Sequence, residues 1–160
     1  MAVDFFLKLD GTDGESMQSG HENEIDVQSW SWGETQSGTF AQGSGGGAGK
    51  VSMQDFHFVM KVNQASPKLV LNCASGEHIA TGCLTCRKAG KTPQEYLKIK
   101  FTDIIVSSYQ TGGSSGDEIP LDQISLNYAK IEYGYAKQKK DGSLDGMVWK
   151  GWDVQKSVAT

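Results

Sequence analysis

Ile124-Ser125-Leu126-Asn127-Tyr128-Ala129-Lys130-Ile131-Glu132-Tyr133-Gly134-Tyr135 is the stretch whose reading decides the fold. Apolar residues alternate at 124, 126 and 128, then shift by one and alternate again at 131, 133 and 135. A period of two marks a strand. A change of phase within one strand requires a bulge, a bend or burial on both faces. The same shift recurs twice upstream. A segment over about 24–37 starts with Ile25 and Val27 in phase and switches to Trp30 and Trp32. A segment over about 50–62 starts with Val51 and Met53 and switches to Phe56, Phe58, Met60 and Val62. Bent strands that change sides belong to a small barrel or a two-sheet closed structure; burial on both faces points instead to contacts between copies.

Working outward, Val3 to Leu9 reads as a first strand with Val3, Phe5, Leu7 and Leu9 on one face, followed by a polar loop over 11–20. Further strands are expected over about 78–88, 95–108 and 147–154. One helix is expected over 66–75: Ser66 is placed to cap it, Pro67 suits the first turn and Gly76 ends it, with Leu69, Val70, Cys73 and Ala74 as its apolar side. The expected fold class is mainly β: a compact β-barrel of two packed sheets, one short α-helix at its side and an extended Gly-rich loop. The 160 residues show no internal repeat and no linker, and read as one domain over 1–160.

Composition narrows the function. The net charge of −4 lacks the basic surplus of a nucleic-acid binder. No apolar run approaches the roughly 20 residues of a membrane span, and the start, Met1 to Lys8, lacks the basic and apolar regions of a signal peptide. Three Cys without framework spacing suit a reducing compartment. Synthesis in the cytosol follows as the default.

Gly43-Ser44-Gly45-Gly46-Gly47-Ala48-Gly49-Lys50 superficially resembles a phosphate-binding loop. That loop needs Gly where Ser44 stands and Ser or Thr where Val51 stands, and it must open a helix rather than a strand. The segment is longer than a tight hairpin turn needs, so it reads as a hairpin loop or as a contact arm between copies. Cys83 and Cys86 have the spacing of a thiol or zinc pair. On a strand, positions three apart face opposite ways, so buried small hydrophobes are the reading. His21, His57 and His78 stand alone in the sequence, and the carboxylates scatter through loops. No catalytic, cofactor or metal residues are assigned, and no enzyme activity is expected. Trp30 and Trp32 share a face and Ser29 and Ser31 take the other. The Trp pair serves core packing or an aromatic contact surface for a subunit or a sugar.

With these stretches in place, the chain resembles the hemolysin-coregulated protein (Hcp) family, tube proteins of bacterial type VI secretion systems. The resemblance rests on an ordered set spanning the chain: Glu24 to Val27, Ser29 to Gly33, Gln36 to Gly38, Gly45 to Val51, Gln54-Asp55, Ser66-Pro67, Arg87 to Gly90, Glu95 to Leu97, Ser107-Ser108, Thr111 to Ser114, Asp141-Gly142 and Gly151-Trp152. It implies a β-barrel with one helix, six copies in a ring, and rings stacked into a hollow tube. A contractile sheath and a spike protein (VgrG) are the implied partners, and small effectors ride in the lumen. The protein would then be cytoplasmic until firing and afterwards secreted without a cleaved signal. The resemblance further implies that Gln42, Gly43, Ser44, Gly45, Gly46, Gly47, Ala48, Gly49 and Lys50 reach toward a neighbouring ring. With Trp30 and Trp32 inward, Ser31 is expected to face the lumen and its cargo. The competing reading is a monomeric β-barrel binding module, for example for carbohydrate.

Overall fold

A computed structural model of the protein describes residues 2–38 and 48–160. Gln42 to Gly47 of the expected contact loop lie outside them; the last three positions, Ala48, Gly49 and Lys50, open a strand.

Eleven strands and one helix follow in chain order: β1 Val3–Leu9, β2 Ile25–Val27, β3 Ser29–Ser31, β4 Glu34–Gly38, β5 Ala48–Met53, β6 Phe56–Lys61, α1 Ser66–Ser75, β7 Ile79–Lys88, β8 Gln94–Gly112, β9 Leu121–Tyr135, β10 Val148–Asp153 and β11 Val158–Ala159. The expected class holds: mainly β, one short helix, two sheets. The main sheet runs antiparallel in the order β2-β1-β7-β8-β9-β10-β11. One edge of β9 is split between β6 over its first half and β10 over its second. β6 in turn pairs β3.

Each phase shift in the sequence has its own structural cause. Between β2 and β3 the chain breaks at Gln28, whose N–H donates to the Val59 carbonyl at 2.8 Å. β2 therefore pairs β1 while β3 pairs β6. This brings the hydrogen-bonded path β1-β7-β8-β9-β6-β3 back to its start through the covalent chain. The sheet wraps around its core without an uninterrupted ladder closing it. Between β5 and β6 the break falls at Gln54–Asp55: among the described residues β5 pairs only β4, as a separate two-stranded arm.

The third shift is a reversal shared by two strands. On β8, Leu97, Ile99 and Phe101 are buried, and beyond Asp103 the buried residues are Ile104 and Val106. Their β9 partners change phase at the same level, from Tyr128 to Ile131. Asp103 has φ 54°, a left-handed conformation that Asp tolerates better than most residues. That single inverted residue turns the alternation over. A bulge between Val106 and Ser108 shifts it again, placing Tyr109 opposite Ile124.

The helix spans the expected residues with a different cap. Ala65 precedes the first turn, and Ser66 is already helical. The Ser66 hydroxyl donates to Asp122 Oδ2 at 2.7 Å and accepts the Asn63 N–H at 3.1 Å. Gly76 ends the helix at φ 72° as expected, a conformation without penalty for Gly. Of the expected apolar side, Leu69 is buried and Cys73 half-buried. Val70 and Ala74 face outward, along with Leu71, which is 60% exposed. Buried Asn72 takes the inward position the pattern assigned to an apolar residue. Cys83 and Cys86 do take opposite faces of β7. All three cysteines are free, and burial pushes the Cys86 thiol up to about 12.

Asp122 is fully buried and joins α1 to the sheet. Its Oδ2 accepts from Ser66 and also from the Tyr109 hydroxyl at 2.6 Å. Burial first, and the Asp122 hydrogen bond second, raise the Tyr109 phenol to about 12. A phenol raised in the folded state supports stability below its unfolded value of about 10, and that support is lost as pH rises further toward about 12. Asp122→Ala strands two hydroxyls and is expected to cost about 2–4 kcal/mol. It should appear as a lower urea midpoint at unchanged slope, with the Tyr109 titration, followed by ultraviolet absorbance, moving back toward about 10.

Candidate functional site

Two surfaces stand out, one on each side of the bent strand 29–32. The first is the base of the arm. Trp30 packs edge-on to Phe5 at 6.2 Å and stacks with Phe56 at 6.1 Å between ring centroids. Trp32 Nε1–H donates to the Tyr128 hydroxyl, which donates onward to the Gln54 carbonyl at 2.7 Å. The Gln54 N–H donates to the Gly33 carbonyl at 2.9 Å. These bonds fix the points where β4 leaves the body and β5 returns to it. Burial raises the Tyr128 phenol to about 12, so the relay stays protonated across the physiological range.

Both Trp side chains are half-buried and pack against the core while leaving part of each ring accessible. Their outer edges line an open groove of about 1220 Å³ between the arm and the β9–β10 face. Met53, Ile131, Tyr133 and Trp152 complete its apolar walls, and Lys50 from the predicted contact loop stands among its lining residues. Such a groove binds by burying apolar surface.

The second surface lies on the opposite face. Ser29 and Ser31 are exposed there, opposite to Trp30 as alternation predicts. Cross-strand register extends each into a row: Ser31 with His57, Ser125 and Ser108, and Ser29 with Val59, Gln123 and Gln110. His57 Nδ1 lies 3.2 Å from Ser125 Oγ. At one margin Asp55 accepts from Ser107 Oγ at 2.6 Å and Asn127 Nδ2 at 2.9 Å. The face is mostly hydroxyl and amide, suited to weak and reversible polar contact. The sequence put Ser31 on the face away from Trp30, but it could not reveal the row: its members are 26, 68 and 17 residues apart along the chain, and only pairing aligns them.

One cluster escaped the sequence reading. His21 is buried and flanked by Glu24 and Glu95. Glu24 is three residues away and visible in the sequence, whereas Glu95 is 74 residues away. Among the described residues, no group of three or more His, Cys, Asp and Glu side chains is arranged to hold a metal ion, and no helix is long and apolar enough to cross a membrane.

The family model described as "Type VI secretion system effector, Hcp" matches residues 6–135. Protein hcp1 of Pseudomonas aeruginosa is 44% identical over 160 residues, covering 99% of both chains. The crystal structure of Hcp1 from Salmonella typhimurium matches with a TM-score of 0.81 at 37% identity, covering 100% of both chains. That of a type VI secretion system effector from Yersinia pestis matches with a TM-score of 0.78 at 35% identity, covering 94% of this chain and 100% of its own. A match this long, in sequence and in fold, means that the chain belongs to the Hcp family of type VI secretion system effectors.

Proposed function

We propose that the protein is the structural subunit of a type VI secretion tube. As one domain over 1–160, six copies form a ring, and rings stack into a hollow tube that carries or chaperones small effectors. The sheath, the VgrG spike and the cargo are its partners. It stays in the cytoplasm until firing and then leaves without a cleaved signal. Binding and assembly, with no catalytic step, are its chemistry. The observation that carries this reading is the family match along the whole chain, joined to a two-stranded arm that, among the described residues, pairs with no other strand.

The surfaces are those an assembling subunit needs. Among the described residues the arm's strands leave their outer edges unpaired, and such edges invite pairing with another chain. Val70 and Leu71 on α1, and Tyr135 and Val148 beside the β9–β10 edge, expose apolar area. Closed rings use unlike patches that meet head to tail, and stacking needs further patches above and below. On this reading Gln42 to Lys50 form the inter-ring contact, and the Ser31 row faces the lumen. The apolar groove also suits a monomeric binding module, and mass in solution separates the two.

Light scattering on the purified protein should give about six times the subunit mass, with rings visible by electron microscopy; a monomer that binds oligosaccharide would support the module instead. Deleting Ser44 to Ala48 should leave rings intact and abolish tube growth, counted on electron micrographs, and normal tubes from the deletion would remove the assigned contact. Ser31→Lys should leave the unfolding free energy, from urea denaturation, within about 0.5 kcal/mol of wild type, because the site is exposed. Co-purification of cargo should fall, and undiminished cargo would place Ser31 elsewhere than the lumen.

A further inference from the structure

Loop 10–24 connects β1 to β2 and folds back over the sheet. Phe6, on the face of β1 opposite Leu7, is only 1% exposed. The His21 ring lies flat on it, with centroids 4.4 Å apart and planes 4° apart. The Arg87 guanidinium carbon sits 4.9 Å from the centroid of the same Phe6 ring. His21 Nδ1 is 3.0 Å from Glu24 Oε2, and its Nε2 is hydrogen-bonded to Glu95 Oε1 on β8.

This arrangement dictates a proton count. Carboxylates only accept, and a neutral imidazole has one N–H and one lone pair. A neutral ring would therefore satisfy one carboxylate and turn a lone pair on the other. With an N–H at both nitrogens, the ring satisfies both. The two carboxylates meet opposite ring nitrogens, so the grouping is a clamp and not a chelate. The surrounding charge agrees. On the loop side stand Glu24 and, next to His21, Glu22, which accepts the Gly20 N–H at 3.1 Å; on β8, Glu95 with Lys98 at 3.3 Å; on β7, Arg87, which pairs Asp4 of β1 at 3.4 Å; and on β2, Asp26, opposite Phe6 in register. Carboxylates outnumber the fixed cations, and a cationic His21 supplies part of the missing charge. Burial opposes ionisation of Glu95, but the His21 hydrogen bond and Lys98 outweigh it and hold the carboxyl below its ordinary range.

The other part of the loop is tied to the helix. Glu15 accepts the Gln64 N–H at 2.8 Å, the Gly14 carbonyl accepts from the Gln64 side chain, and the Gly11 carbonyl accepts from Lys68. The backbone amide and the Gln64 side-chain amide do not titrate near neutrality, and an ordinary lysine stays charged there.

We propose that His21 is a proton-operated latch. As an imidazolium its ring bridges Glu24 of loop 10–24 and Glu95 of β8, and loss of one ring proton turns a lone pair on one of the two carboxylates, so that the 18–24 end, held further by the Arg87 guanidinium donating to Gln18 Oε1 at 3.1 Å, loosens over Phe6. The latch is closed between two limits. Acid opens it when Glu95 takes up a proton, below the ordinary carboxyl range because Glu95 is depressed. Alkali opens it when the ring loses one. The device is internal to the subunit and stands whether or not rings form.

Hydrogen-exchange mass spectrometry on the full chain tests it in any oligomeric state. Exchange at the His21 ring carbon reports its ionisation, and the peptide covering 10–24 reports the amides of Ser16, Asn23 and Glu24, which bond within the loop at 2.8–3.2 Å. The series runs from about pH 5 to about pH 9, the range in which an ordinary His titrates, with each rate corrected for its intrinsic pH dependence. Loop protection should fall about ten- to hundredfold as His21 loses its proton, the loss expected of a charge-assisted hydrogen bond. Ionisation of exposed His78, which pairs Asp103 at 2.7 Å, should leave it unchanged. Glu95→Gln should reduce loop protection at pH 6 and move the His21 titration to lower pH. Loop protection unchanged through the His21 titration in the wild-type protein overturns the proposal, whatever the fate of the variant.

Discussion

The inversion of strand alternation at Asp103 and Ala129 governs the architecture. A straight strand offers one face to one core along its whole length. On β8 the left-handed residue Asp103 reverses which side chains point inward, and β9 changes phase at the same level, so both keep apolar residues against the core. The turn lets β9 change neighbours along one edge, from β6 to β10. Where β9 changes neighbour, the Val154 N–H donates to the Ala129 carbonyl at 2.8 Å.

Polar bonds in and around the core hold what the bend arranges. Asp122 joins the first turn of α1 to Tyr109, and Tyr128 joins Trp32 to the chain at Gln54. Buried hydroxyls and carboxylates are costly unless bonded, so each of these groups tolerates few alternative arrangements. They fix where the helix and the arm meet the sheet. Across the sheet, Trp149 lies over Gly134, where a Cβ would come within 2.7 Å of the indole, and Lys100 caps the same ring at 4.5 Å. A glycine in mid-strand thus makes room for an aromatic side chain to cover the sheet.

The fold class and the helix bounds were legible because they depend on local patterning, with Gly76 as stop and periods of two elsewhere. Other features were not. Ser66 looks like a cap in sequence, yet its hydroxyl is drawn to Asp122, 56 residues away. Val70 looks like core, yet the helix is rotated so that Asn72 faces in and Val70 out. Phe6 looks solvent-facing by alternation, yet loop 10–24 covers it. Each departure comes from a contact between distant segments, to which local pattern is blind.

By itself the sequence determined that strands would dominate, that the alternation would change phase at three places, that Ser31 would face away from Trp30, and which family the chain resembles. These follow from side-chain period and residue order, which are properties of the chain alone. Only the tertiary structure decided which cause lay behind each phase shift: a break at Gln28, a departing arm at Gln54 and a reversal at Asp103. It alone aligned Ser31 with His57 and Ser125, and His21 with Glu95. The reason is that a phase shift states only that the backbone must turn. Where it turns to, and whose side chains then meet, depends on pairing register between segments far apart in the chain.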